Sequence, residues 1–234
     1  VFKDSTTVIS GIKRLKRGLV VFGGRHLYLL GQHHTLPDRI LDIADYAGRI
    51  LILLAHGQIF NLCLKKGLKQ LNFAPFRSLY LMGRIRGGCL YLGSIGHGLL
   101  VYRLKDGLLM REQKMTDSVR DLAFYGRKMV IANDRGCIYD FVEIIPHPCR
   151  VFRVAMTKDW IISGGEDGKI RQYRNGELIR TISVLGPIWS LQTSGDWIWV
   201  GNNDGHLLRF KLGGIPQRRI ISTGVKVFTP NAYL

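Results

Sequence analysis

Apolar residues along this chain fall in short runs separated by polar turns, and the runs recur in groups of four. The clearest group spans residues 151–185: VFRVAMT, a polar turn, WIISGG, the turn EDG, KIRQY, the turn RNG, and ELIRTISVL. The group that follows reads PIWSLQT, SGD, WIWVGNNDG, HLLRFKL, GGIPQ and RRIIST. Runs this short, rich in β-branched and aromatic residues such as Ile161, Ile162, Ile170, Trp197, Ile198, Trp199 and Val200, predict strands. No window of helical period competes with them. Each group is therefore four strands, a to d.

A glycine closes the b-to-c turn of each group and marks the repeat. It stands at Gly57, Gly98, Gly136, Gly168 and Gly205, spacings of 41, 38, 32 and 37, with a less regular turn near Gly24. Four strands recurring about every 40 residues is the pattern of propeller blades. The sequence thus predicts an all-β fold, a β-propeller of six four-stranded blades at 6–36, 37–74, 75–115, 116–147, 148–185 and 186–223. Residues 1–234 read as one domain. A sandwich or barrel is the alternative, but its turns would not recur in fours.

Ring closure is left open by the pattern. Residues 1–5 are expected to supply a d strand, and residues 225–234 the first strand of an incomplete seventh blade. Either the ring closes with six blades and an extra edge strand, or continuation of the chain or a strand from a partner completes the seventh.

SGGEDGKIRQY, from Ser163 to Tyr173, resembles the b-turn-c signature of WD40 repeats, and VGNNDGHLLRF, from Val200 to Phe210, is similar to it. In that family a strand-b Ser or Thr, a turn Asp and a strand-c aromatic form a hydrogen-bonded brace. Ser163, Asp167 and Tyr173 match by position; Asp204 and Phe210 match in part. The chain has no Trp-Asp dipeptide and no Gly-His before any strand a, which makes the repeats degenerate. The stretch from Arg150 to Tyr173 is also similar to blades of the WD-repeat partner of tRNA ribose methyltransferases. The resemblance implies a non-catalytic scaffold within a protein complex.

Composition narrows the partner. Lys and Arg number 34 against 17 Asp and Glu, a formal charge of +17, which draws polyanions such as RNA or a ribonucleoprotein. The propeller pattern assigns these charges to faces. Lys16, Arg17, Lys65, Lys66, Arg84, Arg86, Lys105, Arg127, Lys128, Lys158 and Arg174 are expected in a-to-b and c-to-d turns. They would form a broad basic bottom face that binds RNA through its phosphates. The seven histidines, among them His33, His34 and His147, are expected in the b-to-c and d-to-a connections. There His26, His56, His97 and His206, with Arg135 and Lys169, would form a protein-binding top face.

Other chemistry is thinly represented. Cys63, Cys89, Cys137 and Cys149 have no paired spacing and read as small core residues of a protein from a reducing compartment, nucleus or cytoplasm. Trp160, Trp189, Trp197 and Trp199 read as inter-blade packing rather than a base-stacking platform. No nucleotide-binding, hydrolase or metalloprotease motif is present, no histidine spacing suits a metal, and no apolar run is long enough for a transmembrane helix. The chain is thus expected to have no catalytic residues and no cofactor. Two other readings are a protein-only adaptor, such as a ubiquitin-ligase substrate receptor, and a phosphoinositide-binding propeller, although the Phe-Arg-Arg-Gly motif of the latter is missing.

Overall fold

The computed structural model describes residues 11–15, 18–29, 31–63, 67–71, 80–94, 98–115, 117–139, 143–202, 206–213 and 219–222. These form six four-stranded antiparallel sheets, each built from strands consecutive in sequence. The sheets occupy 11–35, 40–71, 80–113, 119–146, 151–183 and 188–222, inside the six segments that the glycine period marks. The strands expected at residues 1–5 and 225–234 lie outside the described residues. The chain divides into two compact units, Val1–Ser118 with blades 1 to 3 and Val119–Leu234 with blades 4 to 6.

Within each unit the sheets pack face to face, and every space between neighbouring blades holds its own apolar core. Leu27, Leu29, Ile43, Ile50, Ile52 and Leu54 fill the space between blades 1 and 2. Leu51, Leu53, Ile59, Leu90 and Leu92 fill that between blades 2 and 3. In the second unit Val130, Ala132, Ile145, Val154 and Tyr173 join blades 4 and 5, and Ile162, Ile170, Ile198, Val200 and Phe210 join blades 5 and 6.

This packing explains why strand composition changes across a blade. Strand b of blade 2 (Arg49–Leu54) is covered on both faces, so five successive residues are buried and the run is continuously apolar. Strand d of blade 3 (Leu109–Gln113) is an outer edge, and Leu109 and Met110 are exposed on opposite faces.

Two devices repeat from blade to blade. The first is the b-to-c glycine, which has positive φ at Gly24, Gly57, Gly98, Gly136 and Gly168; Gly205 lies outside the described residues. A side chain at Gly98 would place its Cβ 2.0 Å from the Gln113 carbonyl oxygen of strand d. The turn thus needs glycine both for its dihedral and for its closeness to the outer strand.

The second device is a bulge in strand a, where one extra residue interrupts pairing with strand b in blades 2 to 6. It puts Asp42, Met82, Asp121, Arg153 and Ser190 at equivalent positions. Asp42 and Asp121 are buried there, and each accepts a backbone N–H from strand a of the next blade, from Ile85 at 2.9 Å and from Val154 at 3.2 Å.

Candidate functional site

The a-to-b and c-to-d turns of the second unit carry most of the described basic candidates. Arg127 and Lys128 are exposed at the turn between strands a (Val119–Tyr125) and b (Lys128–Asn133) of blade 4. Lys158 is exposed in the corresponding turn of blade 5, beside Asp159. Arg174 ends strand c of that blade (Lys169–Arg174), exposed, with its guanidinium carbon 5.7 Å from the Trp160 ring centre. In the first unit Arg86 is exposed at the end of strand a of blade 3 (Tyr80–Arg86). Lys105 is exposed in the c-to-d turn, next to the Arg103–Asp106 pair at 2.6 Å.

Arg84 corrects the expectation. It lies inside strand a, half-buried, and its Nη1 donates to the Gly83 carbonyl at 3.1 Å, so it belongs to the inner strand rather than to a turn. Lys16, Arg17, Lys65 and Lys66 lie outside the described residues.

At the opposite ends of the strands, cations meet acids. In the second unit Arg120 pairs with Asp134, Arg150 approaches Glu166 at 3.9 Å, and Arg171 binds Asp167 at 2.5 Å. Arg135 and Lys169 are exposed at this end, and the backbone N–H of His206 is capped by Asn202 at 2.9 Å. In the first unit His56, in the b-to-c turn of blade 2, lies 2.5 Å from Asp38 in the connection entering that blade. Burial alone would raise the Asp38 carboxyl, but hydrogen bonds from His56 and the Arg39 N–H hold it below the ordinary carboxylate value.

His26 opens strand c of blade 1 (His26–Leu29), and its Nδ1 lies 3.0 Å from His33 Nε2. His33 and His34 do not occupy a connection as expected; both lie within strand d (Gln32–Thr35). An edge strand exposed to water accepts polar residues, so a polar run there is no sign of a loop. His97 lies outside the described residues. Among the described residues no group of three or more His, Cys, Asp or Glu is placed to hold a metal ion.

A buried polar cluster tops blade 5. Ser163 of strand b (Ile161–Gly165) is fully buried, and Tyr173 of strand c nearly so. Both hydroxyl groups reach one nitrogen, His147 Nε2, Ser163 Oγ at 3.1 Å and the Tyr173 phenol at 2.9 Å. His147 sits in the connection entering the blade. Its other ring nitrogen is buried without a partner among the described residues, and burial, reinforced by the Arg171 charge, lowers its pKa to about 4. The imidazole is therefore neutral at physiological pH.

Asp167 stands beside this cluster rather than on its histidine. It accepts from Arg171 and from the Lys169 N–H at 3.1 Å, and these bonds with one from Cys149 outweigh burial and keep the carboxyl below its usual value. Ser163 and Tyr173 are thus brought together as the sequence implied. His147 completes their hydrogen bonds without the Gly-His signal, being flanked by Pro146 and Pro148. Of the cysteines, Cys137 is wholly buried, with its thiol pushed up to about 12 by burial, whereas Cys89 and Cys149 are only half-buried.

All four tryptophans are half-buried. Trp160 packs on the core between blades 5 and 6, and Trp189 stacks on Phe152 with ring centres 4.5 Å apart. Trp197 and Trp199 lie along one face of strand b in blade 6 (Trp197–Asn202), with the Arg209 guanidinium 4.1 and 5.6 Å from their ring centres.

A groove of about 460 Å³ opens between the end of blade 4 and the outer half of blade 5. Ile145, Pro148, Lys169, Arg171, Tyr173, Gly176, Leu178 and Thr181 line it. Nothing in the sequence pattern announces this groove, because its two walls belong to different repeats.

No family model matches the sequence, and no curated protein matches it either. Solved structures do match in fold. The computationally designed Ika8 protein is similar with a TM-score of 0.69 at 16% identity, over 87% of this chain and 71% of its own. BBS1N, solved in complex with ARL6DN, gives 0.69 at 13% identity, over 94% and 82%. A chain of the mitotic checkpoint complex gives 0.61 at 12% identity, over 73% and 61%. Six consecutive four-stranded antiparallel sheets and these likenesses together show a propeller-type, all-β fold.

Proposed function

We propose that the chain is a non-catalytic, WD40-like scaffold of an RNA-processing, RNA-modifying or ribonucleoprotein assembly, acting in the nucleus or cytoplasm. It holds RNA on the basic turns and protein at the opposite ends of its strands. The observation that carries the RNA part is the asymmetry of the second unit. Exposed Arg127, Lys158 and Arg174 share one end with no ion pair among the described residues, whereas Arg120, Arg150 and Arg171 at the other end each have a carboxylate. With a chain charge of +17, these cations are left to attract a phosphate backbone, with exposed Asp159, Glu177 and Asp196 at the same end opposing it. The Ser163–His147–Tyr173 cluster supports the WD40-like part of the reading.

Binding of labelled bulk tRNA, followed by fluorescence anisotropy across a salt series, tests this. Reversing Arg127 and Lys158 to Glu should weaken binding by about 10- to 100-fold and flatten the salt dependence, since each phosphate contact contributes to the slope. Reversing Arg135 and Lys169 should change it far less. Equal effects of the two pairs, or no RNA binding at low salt, would refute the reading.

A further inference from the structure

The groove at blade 5 has an ordered gradient along its length. Lys169, Arg171 and Tyr173 alternate along strand c and so share the face that looks toward blade 4, while Ile170 and Phe210 belong to the core on the other side. Strand d of blade 5 (Glu177–Ser183) continues that face through Leu178, opposite Tyr173, and Thr181, opposite Arg171. Ile145 and Pro148 form the facing wall. Arg171 and Tyr173 are buried in the groove, so the accessible groups are the Lys169 ammonium at one end and Leu178 at the other.

Neither end is matched by the protein itself. Asp167 neutralises Arg171, but Lys169 brings an exposed ammonium to the same wall with no acid of its own among the described residues. Leu178 is 53% exposed although it borders a groove wide enough for several side chains. A phosphodiester chain would suit the first end and be opposed by the second. A polypeptide can satisfy both.

We propose that this groove is a docking site for an extended acidic segment of a partner protein. The segment sets an Asp or Glu against Lys169 and an aliphatic side chain against Leu178, over the buried Arg171 and Tyr173 that floor the groove. Lys169 and Tyr173 are four residues apart on a strand, roughly 13 Å at about 3.3 Å per residue. The acidic and aliphatic residues of an extended partner therefore stand about four positions apart. Charge complementarity selects the acidic end, and burial of Leu178 contributes the rest. The site is independent of the RNA reading, since it uses neither Arg127 nor Lys158.

Selection of a displayed random-peptide library on the whole chain, with counter-selection on a Lys169→Glu variant, provides the probes. The enriched sequences, made as labelled peptides, are measured by anisotropy. They should share an acidic residue and an aliphatic residue at that spacing. Lys169→Glu and, separately, Leu178→Asp should each weaken them by about tenfold or more. Both side chains are exposed, so melting temperatures should not move, and Leu178→Ser serves as a milder second variant. The Arg127 and Lys158 reversals should leave peptide binding intact. Failure to enrich peptides, enrichment without acidic bias, or peptides indifferent to both substitutions would overturn the proposal. So would loss of tRNA binding in the groove variants without loss of peptide binding. Loss of RNA binding by the turn reversals alone leaves the groove in place.

Discussion

Blades 2 and 5 tie the connection that enters the blade to the polar end of its sheet, but with the chemistry inverted. In blade 2 the entering connection supplies a carboxylate, Asp38, and the b-to-c turn supplies a histidine, His56. In blade 5 the entering connection supplies the histidine, His147, which turns inward onto Ser163 and Tyr173, and the turn supplies the carboxylate, Asp167, which takes Arg171 instead. The entering connection is therefore tied to the b-to-c turn in blade 2 and to strands b and c in blade 5, and local burial decides what the tie is worth. His56 is 62% exposed, whereas Ser163 is wholly buried and Arg171 is 6% exposed.

The largest difference should follow removal of the acid in blade 5. Asp167→Asn leaves a buried guanidinium without its counter-charge and is expected to cost about 2–4 kcal/mol in urea unfolding. A loss below about 1 kcal/mol would mean that water reaches Arg171 in the native state.

The next difference is in pH dependence. His147 resists its proton down to about pH 4 when folded, against an ordinary value of 6.5. Between these values the unfolded chain binds more protons than the native one, so stability falls as pH is lowered from 6.5 toward 4. The slope from this group is at most about 1.4 kcal/mol per pH unit. His147→Gln should flatten that part of a stability–pH profile; an unchanged profile would show that the ring is not buried as described. The smallest effect is expected in blade 2, where Asp38→Asn removes a pair whose histidine is largely exposed and should cost less than about 1 kcal/mol.

The same contrast explains which parts of the molecule the sequence could reveal. Gly98 and Gly168 mark the repeat because a positive φ and a close carbonyl admit no other residue, so the constraint is written at one position. Ser163, Asp167 and Tyr173 stand within one blade at fixed spacings, which makes them visible as a pattern. His147 does not: its partners are 16 and 26 residues away, and its flanking prolines give no familiar dipeptide. Polarity was a misleading guide for Arg84, His33 and His34, since strands on the inner and outer margins of a blade also meet water. The strand-a bulge is a matter of register, and register depends on the partner strand. The groove needs two repeats side by side before it exists at all.

Asp42 and Asp121 carry a consequence for assembly. Each carboxylate is bonded by an amide of the following blade, so the blade that takes water away from it also supplies a compensating hydrogen bond. Blade 2 without blade 3, or blade 4 without blade 5, would lose that bond together with the apolar core between them. The smallest self-sufficient piece of this repeat is then a couple of blades, and a chain cut within either couple would lose both at once.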